Sequence, residues 1–399
     1  MKTRHFVPLL SLVFAGFTGL RAAEPTLQEV VRDSLDFSAA QYTRMLAQLE
    51  GKTGYPRSVA KGELTLVRAN DWTSGFFPGS LWFLFEATAD PKWRDAAAKF
   101  TAGLEKMKNN RGTHDLGFVL YCSYGNGLRL TGDAAYREVL LTGAGSLSTR
   151  FNPTVGSIKS WDGRMEWPFP VIIDNMMNLE LLMWAAKVSD TPRYREIAVS
   201  HADTTLRNHF RADGSSYHVV DYDPATGQVR SRVTHQGFAN ESAWARGQAW
   251  GLYGFTMMYR ETRDPRYLEQ AKKIAAFLLH HPRLPADKVP YWDFDAPDIP
   301  AAPRDSSAAA IICSALWELG DYVDAATARG YRAVAEQQLR SLASPAYRAK
   351  PGENHDFLLM HATGNFPKHD EIDGPINYAD YYFLEALLRC RARLAQVTP

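Results

Sequence analysis

Residues of chemically useful types gather at six points along the chain: Asp71 and Trp72; His114 and Asp115; Asp174 and Asn175; Glu241 with Arg246 and Trp250; Asp305 and Ser306; Asn377 with Tyr378. Asp174 stands in Val171-Ile172-Ile173-Asp174-Asn175-Met176-Met177, with no basic residue nearby in sequence. Desolvation in such a setting raises a carboxyl pKa, which a general acid working near neutral pH requires. Asp115, in Thr113-His114-Asp115-Leu116-Gly117-Phe118, reads equally as a helix cap or as a ligand for substrate hydroxyls. Asp71, Asp305 and Ser306 read as caps, because short polar side chains are preferred at helix starts for local reasons. Arg246 and Trp250 are four residues apart and share a helix face, which suits either a donor beside a stacking ring or a structural Arg beside a core Trp. His218 and His235 stand in the preceding loop, where single histidines are more often structural than functional. The sequence holds no H-E-x-x-H metal pattern, no G-x-S-x-G elbow and no phosphate loop.

Helices must position these residues. A polar turn followed by an aromatic and an Ala-rich helix recurs at Ala89-Asp90-Pro91-Lys92-Trp93, Gly132-Asp133-Ala134-Ala135-Tyr136, Asp190-Thr191-Pro192-Arg193-Tyr194 and Asp264-Pro265-Arg266-Tyr267. Asp before Pro supplies a capping side chain and a fixed φ at the first helical position. Periodicity counted outward from these turns predicts helices over residues 26–50, 72–89, 91–108, 115–131, 133–149, 172–188, 191–209, 241–262, 265–281, 305–320, 324–344 and 377–396. Every second one, starting with 72–89, is apolar around most of its circumference, and the others are amphipathic. Inner helices thus alternate with outer ones. Inner-to-outer connections are short, whereas outer-to-inner ones are long, so six hairpins closed in a ring place every long loop at one end with the inner-helix N-termini. Unpaired N–H groups and partial positive charge there favour an anionic ligand. The expected fold is therefore all-α, an (α/α)6 barrel of six helix hairpins. An open solenoid of hairpins shares the same periodicity.

Composition narrows the partners. The 399 residues carry a formal charge of +1, so no basic excess points to nucleic acid or to an anionic membrane. Ten Trp, 18 Tyr and 20 Phe suit a ring-lined cleft, and stacking on sugars is one use for such rings. Lys2, Arg4 and His5, an apolar stretch from Phe6 to Gly19 and Leu20-Arg21-Ala22-Ala23 read as a signal peptide over residues 1–23. That leaves one domain over residues 24–399 in a periplasmic or secreted protein. Cys122, Cys313 and Cys390 are too few and too dispersed for a disulfide framework or zinc site and read as buried thiols.

Five ordered stretches resemble the unsaturated glucuronyl hydrolases of glycoside hydrolase family 88: Asp71-Trp72-Thr73-Ser74-Gly75-Phe76-Phe77-Pro78-Gly79, His114-Asp115-Leu116-Gly117-Phe118, Ile173-Asp174-Asn175-Met176-Met177-Asn178, Trp244-Ala245-Arg246-Gly247-Gln248-Ala249-Trp250-Gly251 and Tyr378-Ala379-Asp380-Tyr381-Tyr382. The form around Asp174 is closer to these enzymes than to the related unsaturated rhamnogalacturonyl hydrolases. The resemblance implies an (α/α)6 barrel that uses neither metal nor organic cofactor. Its substrates would be oligosaccharides ending in a 4,5-unsaturated uronic acid. It further implies Asp174 as general acid and base, Asp115 as a second essential carboxylate, and a pocket lined by Trp72, His114, His218, Arg246, Trp250 and Tyr378. Two other readings remain: an inverting glycosidase using Asp115 and Asp174, and a non-catalytic glycan-binding helical repeat. Residues 366–374 are acidic apart from Lys368 and His369, and carboxylates repel a sulfate, which argues against highly sulfated glycosaminoglycans.

Overall fold

The computed structural model describes residues 24–163 and 166–397; the expected leader, residues 1–23, lies outside them. The helices are α1 (Leu27–Gln48), α2 (Phe76–Thr88), α3 (Pro91–Ala102), α4 (Asn126–Thr131), α5 (Ala134–Ser148), α6 (Asn175–Val188), α7 (Arg193–Asn208), α8 (Ala245–Thr262), α9 (Pro265–His280), α10 (Ser306–Leu319), α11 (Ala325–Leu342) and α12 (Asn377–Val397). A π-helical segment, Gly117–Gly125, runs directly into α4.

Packing shows why the two helix classes differ. Helix α2 touches the π segment, which touches α6; α6 packs on α8, α8 on α10, α10 on α12, and α12 returns to α2. This ring is closed, so the chain is a barrel and not a solenoid. Outer helices α3, α5, α7, α9, α11 and α1 back onto α2, the π segment, α6, α8, α10 and α12 respectively. An inner helix is walled on all sides, and α10 accordingly buries every residue from Ser306 to Trp317. Outer α9 buries one stripe only, Tyr267, Gln270, Ala271, Ile274, Ala275 and Leu278, the spacing of a helix with one face on a core. Ile274 and Leu278, fully buried in that stripe, each contribute about 1.5–3 kcal/mol.

Three of the four repeated turns cap as expected. Asp90, Asp133 and Asp264 accept from the N–H groups of Lys92, Ala135 and Arg266. Asp190 does not, because the intervening Thr191 moves Pro192 into the cap position, where no side-chain bond forms. Replacing Asp90 or Asp264 by Ala should therefore cost about 1 kcal/mol each. Asp190→Ala should leave the denaturant midpoint unchanged.

Helix starts at the loop end differ from the periodicity in instructive ways. Val171 and Ile172 join strand β5 (Pro170–Ile172), so α6 begins at Asn175 rather than 172. Asp71 draws the N–H and hydroxyl of Thr73 into a tight turn, which delays α2 to Phe76. Helix α8 begins at Ala245 rather than 241. The segment expected as one regular helix over 115–131 starts as the wide π segment, where Asn178 Oδ1 accepts from Phe118 N at 2.9 Å. That bond satisfies a donor that the helix start leaves unpaired. A Cβ at Gly117 would lie 2.5 Å from Asn178 Cα, so only glycine permits this approach.

The long connections carry strands that periodicity did not reveal. β1 (Tyr55–Ala60) pairs antiparallel with β2 (Glu63–Val67), β3 (Phe151–Asn152) with β4 (Ser157–Ile158), and β5 with β6 (Val219–Tyr222), which pairs in turn with β7 (Val229–Val233). All three cysteines are buried free thiols. Among the described residues no helix is long and apolar enough to cross a membrane.

Candidate active site

The β5–β6 pairing sets the centre of the site. Ile172 lies opposite Val219, and one step further Ile173 N donates to His218 O at 3.0 Å. His218 is thereby held beside Asp174, the residue where β5 turns into α6. His218 Nε2 lies 3.7 Å from Asp174 Oδ2. Although Asp174 occupies the N-cap position of α6, its side chain makes no capping bond. Asp305, by contrast, does cap, accepting from Ser307 N and Ala308 N.

The two carboxylates sit in environments of opposite effect. Burial raises the Asp174 carboxyl from 3.8 to about 7, although His114 and Arg246 partly oppose it and Asp115 adds to it. Burial also pushes Asp115 up, but His114, the Thr113 hydroxyl and Arg150 outweigh it and leave that carboxyl below its ordinary value. His114 Nε2 lies 3.1 Å from Asp115 Oδ1, and Thr113 Oγ1 donates to Oδ2 at 2.7 Å. Neighbouring carboxyls pushed apart in this way divide into one proton carrier and one fixed anion.

Both face a cavity of about 270 Å³ among the inner-helix N-termini. Of the residues expected there, Trp72, His114, Asp115, Asp174 and Tyr378 line it. The Trp72 ring lies 5.1 Å from that of Tyr378 and 5.5 Å from that of Phe118. His218 does not line the cavity but stands behind Asp174. Arg246 and Trp250 do not line it either. Trp250 is wholly buried against Phe118 and Tyr382, in the aromatic layer at the centre of the barrel. Arg246, 1% exposed, donates to Asp305 Oδ2 at 2.9 Å and to the carbonyls of Thr363 and Gly364. Sequence spacing puts both residues on one helix face but cannot show that loop 361–374 folds over that face.

Loop residues complete the cavity: Arg57, Trp161 and Asn365, which the sequence did not point to, His235 and Gln236 from the loop before α8, and Lys368, Asp370 and Glu371 from the acidic segment 366–374. The acidity of residues 366–374 is partly cancelled by pairing. Arg57 binds Glu371 through two hydrogen bonds, at 2.7 and 2.9 Å, and also binds Asp71 at 2.9 Å. Asp373 pairs with His361. Lys368 is exposed at the rim, so the count of acids along the segment overstates the repulsion that an anion would meet there.

A larger cavity, about 560 Å³, opens at the opposite end of the barrel between the C-terminal halves of the inner helices. Its charged side chains are committed to protein partners: Glu180 to Arg260, Arg129 to Glu86, and Arg389 to Glu318 and Glu385. It holds neither Asp115 nor Asp174, both of which line the smaller cavity.

Comparison with known proteins gives the family of the chain. The model of Glycosyl Hydrolase Family 88 matches residues 56–353. An unsaturated glucuronyl hydrolase of Formosa agariphila is 51% identical over 97% of this chain and 98% of its own length. A crystal structure of an unsaturated glucuronyl hydrolase specific for heparin superposes with a TM-score of 0.89 at 49% identity, covering 93% of this chain and 99% of that one. The glycosaminoglycan-degrading unsaturated glucuronyl hydrolase of Bacillus sp. GL1 superposes with a TM-score of 0.84 at 31% identity, covering 91% and 96%.

Proposed function

Because the chain belongs to Glycosyl Hydrolase Family 88, we propose that it removes the 4,5-unsaturated uronic acid from the non-reducing end of lyase-generated oligosaccharides by hydrating the ring alkene. The observation that carries the reading is Asp174: buried at the cavity, free of any capping bond and protonated up to about pH 7. In the substrate, C4=C5 is an enol ether. Asp174 delivers its proton to C4 while the alkene electron pair forms the new C–H bond, leaving an oxocarbenium ion shared by C5 and the ring oxygen. The resulting carboxylate then takes a proton from water as the water oxygen bonds to C5. The hemiketal opens by breaking the bond between C5 and the ring oxygen, which gives a ketone at C5 and a hemiacetal at C1. That hemiacetal expels the remaining glycan as an alcohol.

One acid suffices here because protonation is on carbon; ordinary glycosidases protonate the glycosidic oxygen and use two carboxylates at a set spacing. Asp115, held ionised, would accept from sugar hydroxyls. Trp72 and Tyr378 present rings to the sugar face, and Lys368 and the inner-helix N-termini suit the substrate carboxylate. Arg246 and Trp250 act from behind the wall as its supports. The basic, apolar start of the chain supports export to the periplasm or beyond.

Offering lyase digests of chondroitin, hyaluronan and heparin beside saturated oligosaccharides of the same length tests the reading. Loss of the ultraviolet absorbance of the conjugated alkene is expected, with no turnover of the saturated set. Equal cleavage of both sets would establish a conventional glycosidase, and binding without turnover would establish a lectin-like barrel.

A further inference from the structure

His218 is buried, 4% exposed, its ring 4.4 Å from that of Trp244. Its Nδ1 accepts two backbone N–H groups, from His235 at 3.2 Å and from Gln236 at 3.1 Å. A backbone N–H can only donate, so Nδ1 carries no hydrogen. The ring hydrogen of the neutral imidazole then lies on Nε2. Nε2 faces Asp174 Oδ2, and both atoms are buried without a hydrogen-bond partner. Closing their 3.7 Å separation to a bond takes a movement of about 0.8 Å.

The consequence falls on where Asp174 keeps its proton. A proton on Oδ2 would set O–H and N–H donors against each other with no acceptor between them. A proton on Oδ1 leaves Oδ2 as the acceptor. Oδ2 is sealed from solvent, so it is through the rest of its carboxyl that Asp174 meets the cavity. We propose that His218 is a positioning residue: locked by the backbone of residues 235–236 as an Nε2–H donor, it directs the transferable proton of Asp174 to Oδ1 and stabilises the carboxylate left after transfer. The proposal rests on Asp174 as the acid and base. It also joins the site's two halves, because Gln236, whose N–H fixes the tautomer, lines the cavity and donates from its side chain to Gly364 O.

The charged and titratable groups around the pair favour this arrangement. Asp174 faces His114, Asp115 and Arg246, while His218 faces His235, His209, His114 and Arg246. Burial first, and then these mostly cationic or imidazole neighbours, hold His218 well below the ordinary histidine range, so it stays neutral wherever the enzyme works.

Two measurements test the proposal. In wild-type enzyme with ¹⁵N-labelled histidine, His218 is expected to show a protonated Nε2 and a bare Nδ1 from pH 6 to 8. This holds or fails whatever Asp174 does, so it separates the proposal from the reaction on which it rests. The opposite tautomer or a cationic ring would overturn it. Kinetically, His218→Asn keeps an oxygen near Nδ1 for the two N–H groups but loses the donor toward Asp174. The alkaline limb of kcat should then move up by about one pH unit, since the lost hydrogen bond is stronger to the ionised carboxylate than to the protonated one. His218→Gln, which reaches the Nε2 position, should return the limb toward wild type. An unmoved limb in folded His218→Asn protein, with only KM raised, would reduce His218 to an anchor for its loop.

Discussion

Asp174→Asn is expected to lower kcat by at least about 10²-fold, and by more if one group serves both proton transfers, while substrate still binds. The substitution keeps shape and hydrogen-bonding capacity, and Asp174 caps nothing, so no structural loss accompanies it. Stability should move the other way. The folded-state pKa of Asp174 lies above its unfolded value, so its favourable contribution is complete below about pH 3.8 and is lost as pH rises through about 7. Asn carries no such penalty, and the difference between 3.8 and about 7 corresponds to ~4 kcal/mol at most. At pH 8 the inactive variant should therefore melt higher than the wild type. The same proton sets the wild-type profile: the acid must be protonated in the free enzyme, so kcat/KM should fall as pH rises through about 7. Near-normal kcat in folded Asp174→Asn protein would return Asp174 to a structural role.

Arg246→Ala is expected to cost about 3–5 kcal/mol of stability, because it strands the fully buried carboxylate of Asp305 and two carbonyls of loop 361–374. Against a total of about 5–15 kcal/mol that is a severe change, visible as a lower denaturant midpoint. KM should also rise, since the released loop carries Asn365, Lys368, Asp370 and Glu371 into the cavity wall. Trp250→Ala should cost a similar amount through the void it leaves in the aromatic layer. A weakened KM with unchanged midpoints for both variants would mean that these side chains meet substrate directly.

Alternation of apolar and amphipathic helices was readable from period 3.6 alone, and with it the inner and outer layers and the end that bears the long loops. Closure was not, because α12 meeting α2 is a contact between the last helix and the second. The short strands escaped for a related reason. Pairs such as Phe151–Asn152 with Ser157–Ile158 are too brief to show alternation, and Pro170–Ile172 merges with the apolar run of α6. At the site, Asp174 was conspicuous as an acid in an apolar run, and Trp72, His114, Asp115 and Tyr378 stood at helix starts that converge on one end. Arg57 carried no such signal, and the segment holding Lys368 and Glu371 showed only its charge, since a loop residue's neighbours are set by tertiary folding. The two readings left open for Arg246 and Trp250 have the same origin: a shared helix face was legible, but not what covers it.

The central claim is that Asp174 protonates a ring carbon, and turnover in D₂O reads that event directly. The released keto sugar should carry one deuteron at C4, installed at the catalytic rate by wild-type enzyme and no faster than residual turnover by Asp174→Asn. Product bearing no deuterium at C4, or deuterium delivered equally fast by Asp174→Asn, would contradict the account.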